Sequence, residues 1–299
     1  SGTNVPADGK QIVHYLLEDK ILLAQDNGLY TISNMGALLF AKRLEKYPML
    51  NRKRVRVIQY EDDTRINILR QDIGGKGYAS GFEGLVKYIA GLLPAKDEIE
   101  SPLRKEKTMY PIVAIRELIA NALIHQDLSI TGAGPTIEIF RSRIEIINPG
   151  TPLVNINRII DNPPRSRNEI MASLMRRLGI CEELGTGWDR VVASCEAYLL
   201  PAPQIDIYEE NTKVSVFGPV SYKNMTQETR LWTCYLHVCL KYVNQEKATN
   251  SSLRARLGLA STAAASVSRL INLAVEAELI KPLDPNTAPR YMSYIPFWA

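Results

Sequence analysis

RELIANALIHQD, residues 116–127, is the stretch whose reading decides the fold. Glu117, Asn121 and His125 recur at i, i+4 and i+8, so on a 3.6-residue period they fan over a narrow arc of one helix. Apolar residues, among them Ile115, Leu118, Ile119, Leu123 and Ile124, surround that arc. A helix apolar on every side belongs in a core, where an unpaired carboxylate or amide is expensive. The polar arc is therefore expected to face a pocket that a ligand, a metal ion or water completes. The competing reading is structural, with Glu117 paired to an arginine and Asn121 capping a loop.

Downstream, TIEIF (136–140) and IEIIN (144–148) both alternate apolar and polar residues and are joined by Arg141-Ser142-Arg143, which predicts a hairpin ending in Asn148-Pro149-Gly150. Residues 151–182 carry several Pro, Asn and Arg and then a basic helix, NEIMASLMRRLG. ELGTGWDRVVASCEAYLL (183–200) reads as a Gly-rich turn opening into a helix, and KVSVFG (213–218) as a last strand. Upstream, residues 10–24 read as a helix. After the turn Asp26-Asn27-Gly28 come LYTIS and a second helix, MGALLFAKRLEKY. RVRVIQY (54–60) and RINILR (65–70) read as paired strands, and FEGLVKYIAGLL (82–93) as a helix stopped by Pro94. This order of elements fits an α/β sandwich rather than a doubly wound βαβ sheet.

Pro219-Val220-Ser221 marks a domain boundary. Beyond it, ETRLWTCYLHVCLKYV is an amphipathic helix, Asn250 or Ser251 caps a short helix, and Ser261 or Thr262 caps a longer one after Gly258. LIKPLDPNTAPRYMSYIPFW closes the chain as two short strands. Three helices and a hairpin predict a winged helix-turn-helix. The expected division is a helical lead over 1–50, the sandwich over 51–220 and the winged helix over 221–299.

Charge supports this division. From residue 221 onward nine Lys/Arg face five Asp/Glu, which accounts for the whole net charge of +4 and hints at a polyanionic partner there. Arg254, Arg256, Ser266, Arg269 and Arg290 are the candidate DNA contacts, Ser266 and Arg269 being one turn apart on the presumed recognition helix. The competing reading is that this domain mediates dimerisation into a homodimer or packs against the upstream sandwich. The basic stretch NRKRVRV, with Arg52, Lys53, Arg54 and Arg56, reads as a wet strand face rather than a nucleic-acid site. Cys234, His237 and Cys239 lie close together in one apolar helical run and read as core residues rather than zinc ligands. The four cysteines form no C-x-x-C pair, and reduced thiols in a bacterial-type cytoplasm are expected. No run of 18 apolar residues spans a membrane, and no secretion signal is legible.

The polar helix resembles the N-box of the GHKL (Bergerat-type) ATPases, the group that includes gyrase, MutL and sensor histidine kinases: their E-x-x-x-N-A stands here as Glu117, Asn121 and Ala122. The resemblance implies that Glu117 orients or deprotonates the attacking water, that the Asn121 oxygen ligates Mg²⁺, and that ATP is the nucleotide. The adenine-reading Asp-x-Gly-x-Gly corresponds to Asn148-Pro149-Gly150, with Pro152 at the second glycine. The phosphate-side box resembles Gly185-Thr186-Gly187, and residues 151–182 become an ATP lid with Arg165, Arg167 and Asn168 facing phosphate. Along nearly its whole length the chain resembles a bacterial family of RecG-like, "ATP-binding" transcriptional regulators. That resemblance implies a Schlafen/AlbA-type domain ahead of Ser1-Gly2-Thr3. Helicase chemistry finds no support, because no G-x-x-x-x-G-K-[ST] loop occurs. The favoured expectation is a DNA-binding regulator switched by nucleotide. Its rivals are a Mg²⁺-dependent ATPase with Glu117 as general base, and a degenerate fold used for protein–protein assembly, for which Pro152 speaks. His125 is expected to be structural, holding the next loop through Asp127.

Overall fold

The computed structural model describes residues 8–98, 105–163, 165–181 and 187–299. In chain order, α1 (Gly9–Glu18) leads to the hairpin β1 (Leu22–Ala24) and β2 (Tyr30–Ile32), then α2 (Asn34–Phe40), β3 (Arg56–Tyr60), β4 (Ile68–Ile73) and α3 (Tyr78–Leu92). A short hairpin, β5 (Ala95–Glu98) and β6 (Lys105–Thr108), precedes α4 (Ile112–His125), β7 (Thr136–Ile139) and β8 (Arg143–Pro149). Next come α5 (Glu169–Arg177), α6 (Gly187–Ala197), β9 (Gln204–Tyr208) and β10 (Asn211–Phe217). The chain closes with α7 (Gln227–Val243), α8 (Asn250–Arg256), α9 (Ala264–Glu276), β11 (Ile280–Pro282) and β12 (Tyr294–Pro296).

The central sheet has six strands in the order β4-β3-β7-β8-β10-β9. It is mixed: β3 runs parallel to β7, and the other neighbours are antiparallel. The parallel pair exists because α3 and α4 carry the chain from β4 back to β7, the crossover that parallel strands require. Strand alternation then splits the sheet into two faces. Val57, Ile137, Ile139, Ile144, Ile146, Val214 and Val216 share a core with Phe82 and Ile89 of α3, Ile115, Leu118 and Ile119 of α4, and Val191 of α6. The other face carries Arg56, Thr136, Glu138, Glu145 and Lys213, with a small cluster of Ile58, Tyr60 and Phe140 at one end.

Several sequence boundaries shift for local reasons. The helix expected to run to residue 24 ends at Glu18; Lys20 takes a positive φ of 54°, and Leu22–Ala24 pairs as β1 instead. The helix expected from Phe82 begins at Tyr78, immediately after Gly77, where a Cβ would lie 2.6 Å from the Leu39 carbonyl. The expected helix MGALLFAKRLEKY continues past Phe40 only as 3-10 turns. The cap of α8 is Thr249, in a reciprocal capping box with Ser252, rather than Asn250 or Ser251. Strand β9, which the sequence analysis leaves out, forms the sheet edge beside β10. Leu38, Leu39 and Leu44, in the segment expected to be a helical lead, belong to the main core.

The last 73 or so residues form α7–α9 and the β11–β12 hairpin around a second core of Leu236, Leu240, Leu253, Val267, Leu270 and Ile271. Ile160, Val192 and Ala202 from the upstream part are members of the same core. Polar contacts join the two parts further: Trp232 Nε1 donates to the Pro203 carbonyl at 2.9 Å, and the Ala202 amide donates to Thr233 Oγ1 at 3.1 Å. Cys234, His237 and Cys239 lie within this core, where His237 is occupied by Glu196 and Ser252.

Candidate functional site

A cavity of about 470 Å³ opens between α4, the core-facing side of the sheet, and the segment from residue 151 to the start of α6. Glu117, Asn121 and His125 line one wall, so the i, i+4, i+8 arc does point into a pocket. Asn148 of β8 and Thr212 of β10 form part of the floor with Ile146 and Val214. Asn148 and Thr212 stand opposite each other in the antiparallel register, which brings two polar groups onto an otherwise apolar floor. Arg165, Ser166 and Arg176 contribute from the far side, and Gly187 and Trp188 close it where α6 begins.

Glu117 is buried on the core-embedded helix. Burial raises its carboxyl above the ordinary range, partly opposed by the charge of Arg190 and by a hydrogen bond from Asn121. Gly187 leaves room for this carboxylate: a Cβ there would stand 2.2 Å from Glu117 Oε1, so the carboxylate would have to move. Burial first, and then the charge of Arg167, lowers the His125 imidazole below its ordinary range. Asp127 does not hold it; that carboxylate accepts from Ser129 and pairs with Arg167 at 3.2 Å.

The Asn148-Pro149-Gly150 turn is fastened from three sides. Gly150 has φ +103°, which favours glycine, and a Cβ there would lie 2.9 Å from the Asp127 amide nitrogen. Thr212 Oγ1 donates to the Gly150 carbonyl at 2.6 Å. Asn148 Nδ2 donates to the Pro149 carbonyl at 3.1 Å, which leaves its amide oxygen as the group able to accept from a ligand.

The expected lid residues separate. Arg165 lines the cavity. Arg167 is not among the lining residues: it spans from Asp127 to the Thr151 carbonyl (2.8 Å), bracing the turn. Asn168 caps the end of α4, donating to the carbonyls of Ile124 (2.7 Å) and Gln126 (2.8 Å), and so does not face phosphate. Gly150 likewise shapes the turn without lining the cavity. Gly185 and Thr186 lie outside the described residues. Pro152 and Leu153 line the cavity as apolar wall.

Thr212 and Ser166 were missed by the sequence analysis. Thr212 precedes the apolar alternation of KVSVFG by one residue, and its parity with Val214 and Val216 was the available signal. Ser166 Oγ is buried and has no hydrogen-bond partner among the described residues, so it is an unsatisfied donor beside the cavity.

The candidate DNA contacts also separate. Arg256 is buried, with 4% of its surface exposed; Nε lies 3.3 Å from Glu196 Oε1 and Nη2 donates to the Leu200 carbonyl at 2.7 Å. It therefore ties α8 to α6 and cannot reach a DNA phosphate. Arg254 is half-buried and donates to Asn250 Oδ1 at 3.0 Å. Ser266 and Arg269 remain on the outer side of α9, with Arg269 exposed and donating to Ser266 Oγ at 3.3 Å. Arg290 is exposed in the loop between β11 and β12, beside the Tyr291 ring.

A buried carboxylate, an amide oxygen one turn away and arginines across an apolar cavity form a set suited to phosphate, a hard cation and a flat ring. The mixed α/β sheet is consistent with an ATPase-like domain. Residues 132–216 match the family described as "Putative ATP-dependent DNA helicase recG C-terminal". The match takes in β7 to β10 and thus Asn148, Arg165, Gly187 and Thr212, whereas Glu117 and Asn121 on α4 lie ahead of it. The fold is similar to that of the DIP2311 protein from Corynebacterium diphtheriae: 19% identity, a TM-score of 0.55, and an alignment covering 91% of this chain and 55% of that one. The chain thus spans about half the length of that protein. No curated protein matches the sequence. Among the described residues no helix is long and apolar enough to cross a membrane by itself.

Proposed function

We propose that this chain is a DNA-binding regulator switched by ATP and Mg²⁺ bound in the cavity beside α4. The observation that carries the reading is the convergence of Glu117 and Asn121 from the helix, Asn148 and Thr212 from the sheet, and Arg165 and Arg176 from the far wall on one cavity. Asn148 would accept from the exocyclic amine of adenine, with Thr212 fixing the turn behind it. Arg165 and Arg176 would neutralise phosphate oxygens, and the unsatisfied Ser166 hydroxyl supplies a further donor. Asn121 and Glu117 are the oxygen donors fit for Mg²⁺. When bound, the ion would spread the charge of the phosphates.

Helix α6 is the route from this cavity to the C-terminal part. Its first residue, Gly187, abuts Glu117. Its penultimate residue, Glu196, meets His237 of α7 at 2.9 Å and Arg256 of α8 at 3.3 Å. A shift at Gly187–Trp188 on nucleotide binding would be carried along 11 helical residues into the packing of α7 and α8. The arrangement of α7–α9 with the β11–β12 hairpin supports a winged helix, in which Arg269 and Arg290 would contact duplex DNA. The switch requires that nucleotide affinity differ between the free and DNA-bound states.

Calorimetric titration of ATP and ADP with Mg²⁺ tests the site. Wild type is expected to bind, and Asn121→Ala to lose at least about tenfold in affinity, roughly 1.4 kcal/mol. No binding at millimolar nucleotide overturns the reading. Equal duplex affinity with and without saturating nucleotide overturns the switch. A second reading, hydrolysis with Glu117 as general base, is favoured by the burial that raises its carboxyl. It predicts turnover in wild type and none in Glu117→Gln, with nucleotide binding retained.

A further inference from the structure

The outer face of the sheet holds a second, open cleft of about 640 Å³. Arg52, Arg54, Arg56, Arg65 and Lys213 line it against one carboxylate, Glu138. That carboxylate is already claimed: Arg65 binds it through Nε (3.0 Å) and Nη2 (2.8 Å), and reaches Glu145 at 2.5 Å. Glu138 and Glu145 face each other across β7 and β8; Arg65, with Arg143 on Glu145 at 2.6 Å, neutralises this buried like-charge pair and is spent there. Lys213 is shared with Asp206 at 3.0 Å. Among the described residues Arg52 has no carboxylate partner, and the one side-chain hydrogen bond of Arg56 is to the Thr136 hydroxyl, at 3.4 Å. Arg54 is fixed in place by the Gly74 carbonyl (2.8 Å) and Asn51 Oδ1 (3.2 Å), with Glu45 Oε2 a looser partner at 3.8 Å.

The cleft is shaped rather than incidental. Its rim includes the loop Gly132-Ala133-Gly134, and a Cβ at Gly134 would stand 2.1 Å from the Arg52 carbonyl oxygen. Lys53, in the middle of the basic stretch, turns the other way and is buried, donating to the Ile130 carbonyl at 2.6 Å. The lysine thus pins the 127–130 segment while Arg52, Arg54 and Arg56 line the cleft.

Span identifies the ligand. From Arg56 on β3 to Lys213 on β10 there are three strand-to-strand steps, about 14 Å. One phosphate cannot touch both ends; a run of successive phosphates can. Ile147 of β8 lies between them, and the half-exposed Tyr208 ring stands one strand beyond Lys213, on the edge strand β9, as a flat surface on which an unpaired base stacks. We infer that this cleft binds a single-stranded nucleic acid, its phosphodiesters on Arg52, Arg54, Arg56 and Lys213 and its bases against Tyr208. The inference needs neither an occupied nucleotide cavity nor a DNA-binding α9.

The test is fluorescence polarisation of a labelled single-stranded oligonucleotide of about a dozen bases with the full chain across a salt series. Arg52→Ala/Arg56→Ala is expected to bind at least about tenfold more weakly. It should also lower the log–log salt slope by about 1.4, the value for two lost phosphate contacts on a single strand. Both residues are exposed, so an unchanged melting temperature should show that the variant folds. Arg269→Ala/Arg290→Ala should keep single-strand binding, which separates this cleft from the duplex contacts proposed above. The inference falls if wild type does not bind. It falls if binding survives the first double variant and disappears in the second, or if inorganic pyrophosphate displaces the strand at equal concentration.

Discussion

The two faces of the six-stranded sheet are made from alternate residues of the same strands, yet they form opposite environments. On β8 and β10, Ile146, Asn148, Thr212 and Val214 face the helices and floor a cavity with a buried carboxylate, Glu117. Their immediate neighbours Glu145, Ile147, Lys213 and Ser215 face outward, where arginines surround a buried carboxylate pair. A period of two lets one strand serve two kinds of chemistry, and a one-residue slip would exchange them. The difference lies in what covers each face. Helices exclude water from the inner side and raise Glu117, whereas on the outer side Arg65, half exposed, and Arg143 do the neutralising.

The largest test of this contrast is Arg65→Ala. Among the described residues Arg65 alone binds both Glu138 and Glu145; without it Glu145 keeps Arg143 at 2.6 Å, but Glu138 keeps only the Tyr60 hydroxyl, at 3.0 Å, and no cation. Complete burial of such a pair would make the loss 3–5 kcal/mol; Arg65 is half exposed, so about 2 kcal/mol is expected. Urea unfolding should show a lower midpoint at unchanged slope. Arg65→Ala/Glu138→Gln should recover part of the loss. An unchanged midpoint in the single variant would mean that the outer face is not organised by this ion pair.

A smaller effect is expected at the inner face from Gly187→Ala. The new methyl group meets the end of the Glu117 side chain rather than backbone, so Glu117 moves and the fold holds. Nucleotide affinity should fall about tenfold, near 1.4 kcal/mol. Gly84→Ala, on α3 with nothing within 4 Å of the added Cβ, should leave binding unchanged and stabilise the helix by up to about 1 kcal/mol. Equal nucleotide affinity in the two variants would dissociate Gly187 from the site.

The smallest effect is a pH slope at Asp189, in the first turn of α6. Burial raises its carboxyl from 3.8 to about 6, and Oδ1 has no hydrogen-bond partner among the described residues. A raised folded value means that the folded state holds the proton more tightly. Its contribution is therefore present below pH 3.8 and declines as pH rises to about 6. Asp189→Asn should remove that decline, so the variant's melting temperature gains on wild type between pH 4 and pH 7. A constant difference across that range would reject the assignment.

The sequence alone determined the elements whose periodicity is strong. The polar arc of α4, the β7–β8 hairpin and the last three helices follow from spacing, because side-chain direction is fixed locally at 3.6 or 2 residues per repeat. The pocket role of Glu117 and Asn121 was legible for the same reason: a carboxylate and an amide on a core helix must face something polar.

Only the tertiary structure decided which cations are free. Arg165 and Arg167 are equivalent in PPRSRNE, yet one lines the cavity and the other braces a turn through Asp127, forty residues away. Arg254 and Arg256 look alike on α8, yet Arg256 is buried against Glu196 of α6. In NRKRVRV the lysine turns inward while three arginines line the outer cleft. A charged side chain takes its role from the partner that reaches it, and those partners come from distant strands and helices that no local repeat encodes.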